Sequence, residues 1–199
     1  IEQVSFFFFQ AEDGIRDDLV TEFRRVLFRS DPLRAAIRVQ RELRDEIDQS
    51  VALSVWGNKG PTIVHVEDSS QPVIMTMKVG AVLPTLATAT GLVFCALLPA
   101  VITRPLVDEA FAARDRTDSI VRSRKALKEA LDEIRRAHFA INRGHLTPQV
   151  CAIAIPFFGR KDQLTAVLAV IARDEEIDKN KNRIIQFVRD RSAKIPNTI

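Results

Sequence analysis

The sequence predicts an α+β fold: an antiparallel, six-stranded type of sheet with helices packed on its faces. Three observations predict it. Strand-like segments fall into two groups separated by a helical block, and a helix flanks the whole at either end. The tetrapeptide Gly57-Asn58-Lys59-Gly60 reads as a hairpin turn between two β-branched, apolar runs. Finally, Leu164 to Ile171 is apolar at nearly every position, as expected of a central strand covered on both sides.

Taken in order, Asp31-Pro32 is a helix start, with an acidic cap and proline at the first position, and Leu33, Ile37, Leu43 and Ile47 share one face to about Asp48. Arg34, Arg38 and Arg41 share the opposite face. Interleaved with Glu42, Asp45 and Glu46, that face reads as solvated rather than as a phosphate-binding stripe. Strands are expected over 50–56 and 62–67, and a third over Val73 to Lys78. Two helices should follow, Arg104 to Ala113 and Ser123 to His138, joined by a polar connector. A short extended piece, Phe139 to Asn142, leads through a loop at 144–148 into strands over 150–158 and 163–172. The last helix runs from Glu175 to about Ala193, and Pro196 stops it.

The chain of 199 residues is 46% apolar, enough for one sizeable core. No apolar run approaches the roughly 20 residues that span a bilayer, so a soluble protein and no membrane partner are expected. Cys95 and Cys151 lie in apolar surroundings without metal-ligand spacing, which fits a reducing cytoplasm and argues against a disulfide scaffold or a metal site. A net charge of +3 does not by itself imply nucleic-acid binding.

Residues 1–30 read differently from the rest. Phe6 to Phe9 fit neither the strand nor the helix period, and Glu12, Asp13, Asp17 and Asp18 follow at once. The segment lacks the features of a secretory signal. Its strings F-F-F-F-Q-A-E-D-G-I-R-D and R-V-L-F-R-S resemble translated sequencing-adapter read-through, so the segment is expected to be non-native and the domain to occupy residues 31–199.

Val79 to Pro99 is the stretch around which the chain is organised. Gly80 and Leu83-Pro84 precede a cluster of small residues and threonines, and an apolar run follows. This is a helix start with Thr85 and Thr88 as competing caps. Small side chains there leave backbone N–H groups open to an anion or a carbonyl oxygen, or simply allow close packing on a sheet.

V-A-L-S-V-W-G-N-K-G-P-T-I-V (51–64), V-G-A-V-L-P-T-L-A-T-A-T-G (79–91), R-R-A-H-F-A-I-N (135–142) and L-T-P-Q-V-C-A-I-A-I-P-F (146–157) occur in that order, followed by L-T-A-V-L-A-V. Together they resemble the effector-binding domain of IclR-type bacterial transcription regulators, which has a GAF-like fold. The resemblance implies a ligand-sensing, DNA-binding regulator: a small-molecule effector, self-association as a dimer or tetramer, and DNA contact only through a preceding winged helix-turn-helix. No such pattern lies ahead of Asp31, so a truncated regulator is expected. The resemblance implies neither cofactor nor metal.

The family's pocket positions fall on Ala89, Thr90, Asn142, Val150, Ala152, Ala169 and Ile171. Many members carry an acidic residue at Asn142, a cysteine at Ala152 and serines at Ala169 and Ile171, and Leu86 and Leu92 replace a common His and Lys. Such losses disfavour a small, strongly hydrogen-bonded acid such as glyoxylate, whose buried oxygens would lack partners. They favour an aromatic or aliphatic ligand with one polar end, held by Thr90, Asn142 and the N–H groups of Ala89 and Thr90.

The same residues admit two other readings. A dimerisation module with a pocket plugged by Ile171 and Val150 is the first. An enzyme is the second, and its support is thin: no nucleophile elbow, zinc motif or P-loop occurs, and Cys151 with His145 reads as a packed thiol beside a loop histidine.

Overall fold

The computed structural model describes residues 31–70, 78–113, 121–144 and 150–194. The elements are α1 (Asp31–Ile47), β1 (Ser50–Gly57), β2 (Gly60–Glu67), α2 (Ala89–Leu97), α3 (Ala100–Ala112), α4 (Arg124–Ala137), β3 (Ala140–Arg143), β4 (Val150–Phe158), β5 (Leu164–Arg173) and α5 (Asp174–Ser192). The five described strands form one sheet in the order β2-β1-β5-β4-β3, with every neighbouring pair antiparallel. The expected α+β class holds, with five strands among the described residues. The third expected strand, Val73 to Lys78, lies outside the described residues up to position 77. Residues just beyond it run along the free edge of β2: Gly80 N–H donates to Ile63 O, Ile63 N–H to Ala81 O and Leu83 N–H to Pro61 O, with a bridge between Thr62 and Val82. The edge is thereby partly covered.

β5 is central, as its apolar run implies, because it feeds two cores through alternate side chains. Ala166, Leu168, Val170 and Ala172 face one layer, built from α1 (Leu33, Ile37, Leu43) and α5 (Ile177, Ile184, Val188). Val167, Ala169 and Ile171 face the other, built from α2, α3 and α4. The result is three layers, helices on both sides of a sheet.

The hairpin forms as expected, with Gly57 paired to Gly60 around Asn58-Lys59 and Gly60 at a φ of +105° that side-chain-bearing residues rarely adopt. The β1–β2 register shifts between Leu53 and Ser54, where Val64 is the extra residue. On α1, Arg34, Arg38 and Arg41 are exposed, and Arg41 pairs with Glu67 at 2.8 Å. Gln40, on the same helix, is fully buried. Its Nε2 donates to Val51 O at 2.6 Å and to His65 O at 3.3 Å, while its Oε1 accepts from His65 Nδ1 at 2.9 Å. That one amide fastens α1 to both strands of the hairpin, and its satisfied bonds are what make it tolerable in an apolar layer.

One boundary differs from expectation. α3 starts at Ala100, not Arg104, and Pro105 lies inside it. The proline removes only the N–H that would reach Val101, and Val101 is 81% exposed, so water can serve that carbonyl.

Candidate functional site

Helix α2 is placed by its cap. Thr88, in extended conformation, accepts the Gly91 N–H on Oγ1 at 3.0 Å and donates the hydroxyl proton to Pro84 O at 2.9 Å. Of the two expected caps, Thr88 is therefore the one used. Thr85 has another place: its backbone lies against the first turn of the helix, so close that only glycine fits at position 91. The N–H groups of Ala89 and Thr90, in that first turn, have no carbonyl of the helix to bond.

The sheet below presents small side chains. Ala52, Ala140, Ala152, Ala154 and Ala169 all belong to the layer under α2. Asn142, Ala152 and Ile171 are successive partners across β3, β4 and β5, and Ala154, Ala169 and Ala52 form the adjacent row. Asn142 is buried and its Nδ2 donates to Ala87 O at 3.2 Å, tying the edge strand to the loop that leads into α2.

The structure thus gathers the expected residues on one side of the sheet. Ala89, Ala169 and Ile171 are buried in one apolar cluster, with Val150 and Ala152 half-buried against it. Thr90 is buried in the next position of the helix. Leu86 and Leu92 occupy the same cluster. The loop expected at 144–148 lies outside the described residues from position 145 onward.

Sequence reasoning passed over Ser54. Its side chain is fully buried and its Oγ has no hydrogen-bond partner. It shares the α2 side of β1 with Ala52 and Trp56 by strand alternation, and Trp56 stacks at a tilt on Phe94 of α2, centroids 5.7 Å apart. A lone hydroxyl at an inward position of V-A-L-S-V was the available signal.

The titratable groups point away from catalysis. Cys151 alternates with Ala152 and sits in the opposite layer, among α1 and α5. Burial pushes its thiol up to about 12, and burial does the same to Cys95. Neither is a thiolate near neutral pH. Iodoacetamide at pH 8 is expected to leave both unlabelled in the folded protein and to label both in denaturant; mass spectrometry reads the result. His65 is engaged with Gln40, and His138 caps α4 with a left-handed backbone, its ring edge-on to Phe158. His145 lies outside the described residues.

A separate cavity of about 380 Å³ lies between α3 and α4, lined by Asp108, Phe111, Ala112, Ser123 and Arg124. Its charge is already matched, with Arg124 bonded to Asp108 at 2.7 Å and lying over the Phe111 ring. Among the described residues no cluster of three metal-ligating side chains occurs, and no helix is long and apolar enough to cross a membrane.

Residues 25–197 match the family model described as "Bacterial transcriptional regulator IclR C-terminal". Among solved structures, HmgR of Pseudomonas aeruginosa aligns with a TM-score of 0.72 at 30% identity, covering 90% of this chain and 72% of that one. The IclR of Thermotoga maritima aligns with a TM-score of 0.72 at 15% identity, over 89% of this chain and 74% of that one. The C-terminal domain of Escherichia coli KdgR gives 0.68 at 20% identity, over 83% and 96%. The last two establish the fold alone. No curated protein matches.

Proposed function

We propose that this chain, which belongs to the IclR C-terminal family of bacterial transcriptional regulators, senses a small organic molecule between the start of α2 and the small-residue face of the sheet. The family is one of regulators and not of enzymes. The observation that carries the reading is the capped, glycine-clamped start of α2, held by Asn142 above Ala152, Ala154 and Ala169. It offers backbone donors at a dipole's positive end over an otherwise apolar floor. The ligand chemistry that suits it is an aromatic or aliphatic acid with its polar end toward Ala89, Thr90 and Asn142, and its body along Val150, Ala152, Ala169 and Ile171. In the working regulator this domain self-associates, acts in the cytoplasm, and reaches DNA through a winged helix-turn-helix.

A second reading has its own support. Leu86, Leu92 and Ile171 are all buried within the same cluster, as in a dimerisation module whose pocket has filled. Calorimetry and thermal melts separate the two. Benzoate, phenylacetate or hexanoate is expected to bind, and a ligand at 100 times its dissociation constant adds about 2.7 kcal/mol of stability. Tight binding of glyoxylate or pyruvate with no binding of the larger acids would overturn the proposed chemistry. Silence from every acid would favour the filled pocket.

A further inference from the structure

We infer that the Ser54 hydroxyl is a second polar anchor in the sensing site, selecting effectors that carry a hydroxyl on the apolar body as well as an acid at one end. The inference rests on the sensor reading above and adds a specificity determinant to it. Three observations carry it.

The first is burial without a partner. Ser54 is fully buried and its Oγ makes no hydrogen bond, although buried hydroxyls are otherwise paired almost without exception. Its neighbours show what pairing looks like here: Ser50 Oγ accepts from Ser69 N–H at 3.1 Å, and Thr88 Oγ1 both donates and accepts.

The second is direction. The bulge of the β1–β2 ladder puts its extra residue, Val64, on β2, while β1 keeps its regular register with β5 through Leu53 and Ser54, so strand alternation sets where Ser54 points. Ser54 lies opposite Val167 of β5, one step along the strands from the Ala52–Ala169 pair, on the side that faces α2.

The third is what passes overhead. Thr85 approaches Gly60 at the hairpin end of β2, with its Oγ1 3.3 Å from where a Gly60 Cβ would stand. Ala87, only two residues on, accepts a bond from Asn142 on the far edge strand. The segment 85–87 must therefore cross the sheet diagonally, above the β1–β5–β4 rows in which Ser54, Ala169 and Ala154 point toward the helices. The unpaired hydroxyl and the first turn of α2 are consequently on the same side of the sheet.

An effector hydroxyl placed there would exchange a hydrogen bond with Ser54 Oγ and relieve the unpaired group. A hydroxyl-free analogue gains no such bond and binds more weakly by that one interaction.

The test measures binding of benzoate, 3-hydroxybenzoate and 4-hydroxybenzoate by calorimetry to the wild-type chain and to Ser54→Ala. Wild type is expected to bind one hydroxybenzoate about tenfold tighter than benzoate. In Ser54→Ala that preference should vanish, the hydroxybenzoates and benzoate binding equally. Loss of the hydroxyl leaves the packing intact, so the variant should fold with an unchanged or raised melting temperature. A preference that survives in Ser54→Ala, or no preference in wild type, overturns the inference and leaves the sensor reading standing. If none of the three acids nor hexanoate binds wild type, the sensor reading fails first and takes this one with it.

Discussion

Gly91→Ala is expected to destabilise the domain by about 3 kcal/mol, the range of severe overpacking, and to abolish effector binding. A Cβ at position 91 would stand 2.1 Å from the Thr85 carbonyl oxygen, 2.7 Å from its carbon and 2.8 Å from its Cα. These are backbone atoms, so no side-chain rotation relieves the clash; the 85–88 segment or the first turn of α2 must move. Helix propensity acts the other way, favouring alanine by about 1 kcal/mol, and is too small to reverse the sign. Displacing that segment also disturbs both contacts that position it, Thr88 Oγ1 on Gly91 N–H and Asn142 on Ala87 O. Urea denaturation and a thermal melt measure the loss, and a melting temperature lower by roughly 10 °C is expected for a domain of this size. Stability equal to wild type would show that the close approach at Gly91 is dispensable.

Asn142→Asp should cost about 3 kcal/mol at neutral pH, and the cost should depend on pH. The asparagine amide donates to Ala87 O while 9% exposed. An ionised aspartate there offers only acceptors to a carbonyl, in a site with little water. Both burial and the facing carbonyl oppose ionisation, so the folded-state carboxyl titrates above its unfolded value of about 4. The sign follows from linkage. The folded state holds the proton longer than the unfolded one, so the penalty is small below pH 4, grows as pH rises through the folded value, and is complete above it. A protonated aspartic acid can donate to Ala87 O as the amide does. Asn142→Ala, which loses the bond without adding charge, should instead show a smaller and pH-independent loss of about 1 kcal/mol. Equal pH profiles for the two variants would show that position 142 is not buried against the loop.

Much of this architecture is legible from local pattern. The hairpin at Gly57 to Gly60, the amphipathic α1, the capped α4, and the two-sided apolarity of Leu164 to Ile171 each arise from periodicity or turn chemistry confined to neighbouring residues. The start of α3 is not, because Pro105 reads as a helix opening while the real opening, after Pro99, depends on exposure of Val101 to water. Gln40 is not legible either. A polar residue on an apolar helix face looks like an error of register until the strand carbonyls of Val51 and His65 are found within its reach.

By itself the sequence determined the fold class and the family, since these depend on period, turn residues and motif order. Tertiary structure alone decided which threonine caps α2, why position 91 must be glycine, that Cys151 faces away from the site, and that Ser54 is buried without a partner. Each of these turns on a contact between segments far apart in the chain, where packing distance and access to water settle what residue identity leaves open.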